Sequence, residues 1–317
     1  MRGEGLIGAI DLGGTKILSI VAGEDMRVVG RDQRPTGADD GPESVLERMV
    51  ESLRAAAAGR PLRAIGVSTP GPCDVERGMV TNAPNLPGWR EIPLARRMSE
   101  AFGLPAWIEN DANAAAIAEH RLGSGRGKSH LVLVALGTGI GGGLIIDGRI
   151  YHGASGAAGE IGHMQLVPGG PPCGCGRYGC LEALASGSAL ARTAAALVDL
   201  FPHSVLGRIS REEGTPPSAL TLETAAARGD PHARHAIHQA GLYLGAGLTN
   251  LVDIFNPEVV AISGNLRKLD GYLSTAIDVV RREAFRQAAR DARIVETELG
   301  DDAAALGAAL VALDRLS

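Results

Sequence analysis

His163, Cys173, Cys175 and Cys180 stand in one glycine-rich segment, GEIGHMQLVPGGPPCGCGRYGCLE, that runs from Gly159 to Glu182. The cysteines are too close in sequence for an ordinary set of disulfides, and a turn-forming PGGPP run separates them from the histidine. Three thiolates and one imidazole suit a tetrahedral zinc ion. With all four positions filled by protein, the metal is expected to be structural, folding the loop rather than acting as a Lewis acid. The competing reading is a redox pair or a chance cluster, which glycine-spaced cysteines beside an upstream histidine disfavour. Glu160 and Glu182 bracket the cluster, and a folded metal loop would fix both carboxylates where they can accept hydrogen bonds from ligand hydroxyl groups.

A second chemistry is written in two glycine turns. Residues 6 to 22, LIGAIDLGGTKILSIVA, and residues 131 to 150, LVLVALGTGIGGGLIIDGRI, both read as strand, glycine turn, strand. Turns built from Gly13, Gly14 and Thr15, followed by Lys16, and from Gly137, Thr138 and Gly139, expose backbone N–H groups and a hydroxyl. They have little Cβ to block a polyphosphate. Neither is a Walker loop, because the GxxxxGK[ST] spacing is missing and a strand follows instead of a helix. Each taken alone is also an ordinary tight hairpin. Their joint occurrence, with Asp11 ending the first strand as a candidate Mg2+ holder, favours a duplicated domain with a nucleotide between the copies.

Between the hairpins, PAWIENDANAAAIAEHRLG reads as a short strand ending at Glu109, Asn110 and Asp111 and then an alanine-rich helix. Asp111 and Asn113 at that helix start are favoured caps, which is a sufficient account of an isolated Asp. The company of Asn110, and the position between two phosphate turns, point further. A carboxylate at a strand end can accept a hydroxyl proton while the amide orients that hydroxyl or its neighbour.

Other elements must position these groups. Residues 41 to 59 form an amphipathic helix with Pro42 at its first position and Val45, Met49 and Leu53 four apart. Leu62 to Ser68 returns as a strand. Residues 69 to 93, dense in Pro, Gly and Asn, read as a long functional loop, too irregular for a core element. Residues 183 to 250 are mostly helical, with His232, His235 and His238 on one stripe as surface or interface residues. Residues 256 to 268 form a strand ending at Gly264, which could place backbone beside an adenine or ribose. The apolar tail DDAAALGAALVALDRL is a helix that must dock on something.

The chain has 317 residues, 45% of them hydrophobic, enough for two domains. Lys plus Arg number 31 against 36 for Asp plus Glu, a net charge of -5, which gives no footprint for nucleic acid or an anionic membrane. The N-terminal apolar run is short and interrupted by Asp11, so neither a signal peptide nor a spanning helix is expected. A cytoplasmic location follows, where the thiolates stay reduced. Cys73 is expected to be a small, partly buried residue with no function.

Taken in order, DLGGTK at 11 to 16, PGP at 70 to 72, IENDAN at 108 to 113, LGTGIGGG at 136 to 143, GEIGH at 159 to 163 and CGCGRYGCLE at 173 to 182 resemble the ROK family of bacterial sugar kinases and sugar-responsive repressors along nearly the whole chain. The cysteine cluster with its GExGH prefix is specific to that family, whereas the glycine hairpins are shared by the wider hexokinase and actin-like group. The resemblance implies two ribonuclease-H-like α/β domains around a central cleft, taken here as residues 1–115 with 302–317, and 116–301. It also implies a homodimer or homotetramer. Asp111 matches the catalytic base; Gly71, Asn85, Asn110, Glu160, His163 and Glu182 match the sugar site; His163, Cys173, Cys175 and Cys180 match the zinc ligands.

His163 then has two duties, one ring nitrogen on zinc and the other donating to a sugar hydroxyl. At the adenosine motif ISGN replaces the usual glycine-rich run, and Gly264 remains. The expected activity is ATP- and Mg2+-dependent phosphorylation of the 6-hydroxyl of glucose. N-acetylmannosamine, N-acetylglucosamine and fructose are alternative substrates, and a non-catalytic sugar sensor is the alternative from another class. A DNA-binding repressor is disfavoured, because the chain enters its first strand near Leu6 with no preceding helix-turn-helix.

Overall fold

The computed structural model describes residues 5–83 and 85–316. The outer limits of the expected domains, at residues 1 and 317, and Pro84 of the long loop lie outside the described residues. The first half of the chain runs β1 (Leu6–Leu12), β2 (Lys16–Ala22), β3 (Val28–Pro35), α1 (Pro42–Ala57), β4 (Leu62–Thr69), β5 (Cys73–Asp74), β6 (Met79–Asn82), β7 (Arg90–Ile92), α2 (Leu94–Phe102), β8 (Ala106–Asn110) and α3 (Asp111–Leu122). The second runs β9 (Leu131–Leu136), β10 (Ile140–Ile146), β11 (Arg149–Ile150), α4 (Leu181–Ala185), α5 (Gly187–Leu200), α6 (Val205–Glu213), α7 (Ala219–Ala227), α8 (Pro231–Phe255), β12 (Val259–Ser263), α9 (Tyr272–Glu283), α10 (Arg286–Asp291) and β13 (Arg293–Glu296), before a final α11 (Ala303–Leu316).

Two five-stranded sheets share one topology. Their orders are β3-β2-β1-β4-β8 and β11-β10-β9-β12-β13, so β1 corresponds to β9, β4 to β12 and β8 to β13. In each, an antiparallel hairpin leads into a parallel ladder, β1 with β4 and β8 in one and β9 with β12 and β13 in the other. The glycine turns occupy the same place in both sheets, at the end of the first strand, which is the internal duplication expected from their sequences. Helix α1 starts at Pro42, whose missing N–H costs nothing at a first turn. It buries Val45, Met49 and Leu53 completely, roughly 1.5 to 3 kcal/mol of transfer free energy each.

Two compact units result. One holds the chain up to Ser129, Gly143–Gly159 and everything from Glu298; the other holds His130–Gly142 and Glu160–Thr297. These limits differ from the boundaries at 115/116 and 301/302 expected from sequence, and packing explains why. Helix α3 is seated on α11 so closely that a Cβ at Gly307 would lie 1.8 Å from the Ala114 carbonyl oxygen, and a Cβ at Gly143 would lie 2.6 Å from Ala116 Cβ. All of α3 and the end of β10 therefore belong with α11. The apolar tail docks as expected, lying on β4 and β1 as well as α3.

The segment at 69–93 departs from the expected loop. It contains the small antiparallel sheet β5-β6-β7 and buries Val80, Leu86 and Trp89 in the core of the first unit. Its Pro and Gly residues punctuate short strands instead of dissolving them. No helix among the described residues is long and apolar enough to cross a membrane.

Candidate functional site

In the first unit, strand register gathers the expected groups at one edge. Asp11 on β1 pairs with Ser68 on β4, and Ser68 and Thr69 pair with Glu109 and Asn110 on β8, so all lie at the carboxyl ends of parallel strands, where open α/β sheets bind ligands. Ser68 Oγ donates to Asp11 Oδ1 at 2.6 Å. Burial pushes the Asp11 carboxyl up, while the Ser68 hydroxyl and Lys16 pull it back.

Asp111 is the first residue of α3, and its Oδ1 accepts the Ala112 N–H at 2.8 Å. Removal from water, then the negative charge of Asp11, push its carboxyl up to about 6 against the pull of the Ala112 N–H and the Asn110 side chain. Neither of the expected caps, Asp111 and Asn113, caps the helix. The cap is Asn110, whose Oδ1 accepts from Ala112 N at 3.0 Å and Asn113 N at 3.1 Å. An extended residue must precede the helix to aim its oxygen at those orphan N–H groups, and Asn110 still belongs to β8. Its Nδ2 donates to the Gly71 carbonyl at 3.1 Å, and Gly71 itself sits at φ 78, a conformation that favours glycine.

The first glycine turn closes on itself. Gly13 N–H donates to Lys16 O at 2.9 Å, and Thr36 Oγ1 donates to Gly13 O at 2.7 Å. Asn85, exposed, lies against the turn, 3.3 Å from where a Gly14 Cβ would stand. Lys16 Nζ is paired with Asp301 at 2.8 Å. In the second unit Gly137 N–H likewise closes its turn on Gly139 O at 3.0 Å, while the Gly137 and Thr138 carbonyls accept from Gly187 N and Ser188 N at the start of α5. The Gly13 and Gly137 N–H groups are thus spent within their own turns. Gly264, at φ 86, is pressed so close to β9 that a Cβ would stand 2.0 Å from Leu136 O.

The cysteine loop is folded as the ligand set requires. One ligand atom from each of His163, Cys173, Cys175 and Cys180 lies within 4.8 Å of every other. Cys175 Sγ and Cys180 Sγ are 3.8 Å apart, and Cys173 Sγ is 3.6 Å from His163 Nδ1. A tetrahedron with metal–sulfur bonds of about 2.3 Å and a metal–nitrogen bond of about 2.0 Å has edges of about 3.8 and 3.5 Å, so the four residues fit zinc. The Arg177 N–H and guanidinium bring the Cys175 thiol down to about 6, whereas burial pushes Cys180 up to about 12.

Around this loop His163 Nε2 lies 3.9 Å from Glu160 Oε2, and Arg177 Nη2 donates to His163 O at 2.9 Å. Glu182 Oε2 accepts the Ile140 N–H at 3.0 Å, and its Oε1 lies 3.9 Å from Cys173 Sγ. Cys73 is buried, and burial with the nearby carboxylates of Glu109 and Asp111 pushes its thiol up to about 12, in keeping with an inert residue. Of the histidine stripe, His232 stacks on Phe201, ring centroids 3.8 Å apart, and His238 meets Thr275 Oγ1 at 3.3 Å.

Sequence reading missed the roles of Ser68, Glu109 and His152. Glu109 is 3% exposed and bonded to His152 Nε2 at 2.8 Å. The one signal was a carboxylate inside an apolar strand, since a charge there needs partners.

Two sheets of one topology, each with a glycine turn after its first strand, define the ribonuclease-H-like fold of actin- and hexokinase-type proteins. Within that fold, the ROK family model matches residues 7–315, and the chain belongs to the ROK family. It is 34% identical over 312 residues to a glucokinase of Streptomyces coelicolor, covering 96% of each chain. A ROK hexokinase from Thermus thermophilus superposes with a TM-score of 0.83 at 38% identity, over 98% of this chain and 99% of that one. A ROK glucokinase from Streptomyces griseus, solved with glucose and AMPPNP, gives 0.81 at 33% identity, over 99% and 100%.

Proposed function

We propose that this protein is an ATP-dependent glucokinase that transfers the γ-phosphoryl group of ATP to the 6-hydroxyl of glucose. The observation that carries the reading is Asp111. It is a carboxylate at the carboxyl edge of a parallel sheet, beside Asp11 and in the same unit as a glycine turn, in a chain whose relatives include glucokinases.

The glucose oxygen forms a bond to phosphorus as the bond from that phosphorus to the β,γ-bridging oxygen breaks, leaving ADP. The hydroxyl proton passes to Asp111. With its carboxyl near 6, Asp111 is mostly ionised at neutral pH and basic enough to take that proton and return it to solvent. Gly71, Asn85, Asn110, Glu160, His163 and Glu182 are the residues assigned to sugar hydroxyls. Gly14, Thr15, Lys16, Thr138 and Gly139 hold phosphates, and Gly264 meets the adenosine. Asp11 would hold Mg2+, directly or through water, and a bound Mg2+ neutralises charge on the phosphates.

His163, Cys173, Cys175 and Cys180 would hold a structural zinc ion. Ligation through Nδ1 leaves Nε2–H of His163 to donate to a sugar hydroxyl, the double duty expected of it. A reducing cytoplasm suits these thiolates.

The test is ADP release from Mg-ATP by the purified, zinc-replete protein across glucose, mannose, fructose, N-acetylglucosamine and N-acetylmannosamine. A dominant glucose rate is expected. Preference for an N-acetylated sugar would move the substrate while keeping the chemistry, and no turnover on any sugar would leave a sensor.

A further inference from the structure

Glu109 carries a carboxylate into a nearly closed environment and has three donors to balance it. Its Oε1 accepts the Asn110 N–H at 2.9 Å and Asn113 Nδ2 at 3.1 Å; its Oε2 meets His152 Nε2 at 2.8 Å. The first two partners belong to the turn from β8 into α3, but the third comes from the chain after β11. His152 is half-buried, and its carbonyl accepts the Ala158 N–H at 3.0 Å, closing residues 152–158 into a compact loop. That loop rests on the first unit elsewhere too, since a Cβ at Gly156 would stand 3.2 Å from the Cys73 carbonyl oxygen. The other charges acting on His152 are Arg315 of α11 and Glu76 of the β5–β6 turn, and these form an ion pair with each other at 2.8 Å.

We infer that His152 is a positioning residue for phosphoryl transfer: its Nε2–H holds the buried Glu109 carboxylate, and Glu109 in turn fixes the junction from Asn110 to Asn113 that aims Asp111. This inference rests on Asp111 being the proton acceptor. Physically, a carboxylate that loses one of three donors in a dry site must hydrate or rotate. Rotation releases the Asn110 N–H and Asn113 Nδ2. Asn110 is also the residue that caps α3 and holds the Gly71 carbonyl, so the disturbance reaches the backbone that carries Asp111. Small misplacements of a reacting group cost rate far more than they cost ground-state binding.

His152→Gln keeps a donor where Nε2–H was, whereas His152→Asn is too short to reach. Steady-state turnover of glucose is therefore compared in wild type, both variants and Asp111→Asn. The expected result for His152→Asn is a kcat lower by about 10-fold or more with glucose KM within about 3-fold, and for His152→Gln a kcat restored to within about 3-fold of wild type. Equal kcat in the Gln and Asn variants, whether near wild type or equally low, overturns the inference. Normal turnover by Asp111→Asn instead overturns the reading of Asp111 on which it rests. If the His152 variants do not fold, nitrogen NMR of the imidazoles in the wild-type protein decides. A neutral ring protonated on Nδ1 alone cannot donate to Glu109 and refutes the role; a proton on Nε2 in a hydrogen bond supports it.

Discussion

Glu182 Oε2 accepts the backbone N–H of Ile140 at 3.0 Å, while its Oε1 lies 3.9 Å from Cys173 Sγ, so one carboxylate joins the cysteine loop to the strand that leaves the second glycine turn. The fit is close, since a Cβ on Gly139 would stand 2.3 Å from Glu182 Oε2. A metal bound in the loop would therefore order the second glycine turn as well as His163.

Loss of the metal should then weaken both substrates. Cys175→Ser is expected to lower zinc content, measured by elemental analysis, and to raise KM for glucose and for Mg-ATP by about 10-fold or more, the usual cost of disturbing groups around a metal site. A variant depleted of zinc with an unchanged KM for Mg-ATP would show that Glu182 does not transmit the loop's order to the turn.

Asp111 poses a conflict between stability and activity. Its carboxyl is raised in the folded protein to about 6, so between about pH 4 and pH 6 the native state binds a proton that the unfolded chain releases. The stability held by the protonated form is full below that window and is lost as pH climbs through 6. Asp111→Asn keeps the shape without the charge. Its melting temperature at pH 8 should exceed that of wild type, by a free energy on the order of 1 to 3 kcal/mol, and the difference should vanish near pH 4, with turnover abolished throughout. A variant less stable than wild type at pH 8 would mean that the ionised carboxylate is a net stabiliser.

The same carboxyl sets an acid limit on the reaction. Plotted logarithmically, kcat/KM for glucose should fall below about pH 6 with a slope near one, because protonated Asp111 has nowhere to put the hydroxyl proton. The negative charge of Asp11 contributes to the rise, so Asp11→Asn should move the limit to lower pH, whatever it does to Mg2+ dependence. A limb that stays in place in Asp11→Asn would leave burial as the whole cause.

Local patterns were legible and distant pairings were not. Both hairpins, the helix from Pro42, the Cys3His set and the strand-to-helix turn at Asp111 follow from spacing within a few residues, and the structure contains each of them. The cap was misplaced by one residue because Asn110 and Asp111 are both good caps, and only the end of β8 decides which of them is extended. Residues 69–93 looked like loop because β5, β6 and β7 are very short and punctuated by Pro and Gly; the buried Trp89 organises them through contacts that no local period reveals. Glu109 and His152 are separated by α3 and the whole of the second hairpin, and a lone histidine before a glycine carries no sign of what it will meet. The compact units follow the same logic. Glycines at 143 and 307 let β10 and α11 close on α3, and close approach of distant segments is not written as periodicity.

Those glycines make the last prediction. The side of α11 on β4 is fitted to Gly66, where a Cβ would stand 1.9 Å from the Ala308 carbonyl oxygen, and the side on α3 is fitted by Gly307, where a Cβ would stand 1.8 Å from Ala114 O. Both obstacles are backbone, which cannot rotate aside, so relief requires α11 to shift as a body. Gly66→Ala and Gly307→Ala are each expected to cost about 1 to 3 kcal/mol or more in thermal or denaturant unfolding, with a non-additive double variant, since one displaced helix relieves both clashes. Helix α3 begins at Asp111, and Ala114 lies in its first turn. Gly307→Ala should therefore also lower kcat when assayed well below its melting temperature, whereas Gly66→Ala, acting on β4, should lower stability with less effect on turnover. Unchanged melting in both would show that the contact relaxes freely, and equal kcat losses would show that α11 acts on the whole sheet edge instead of on α3.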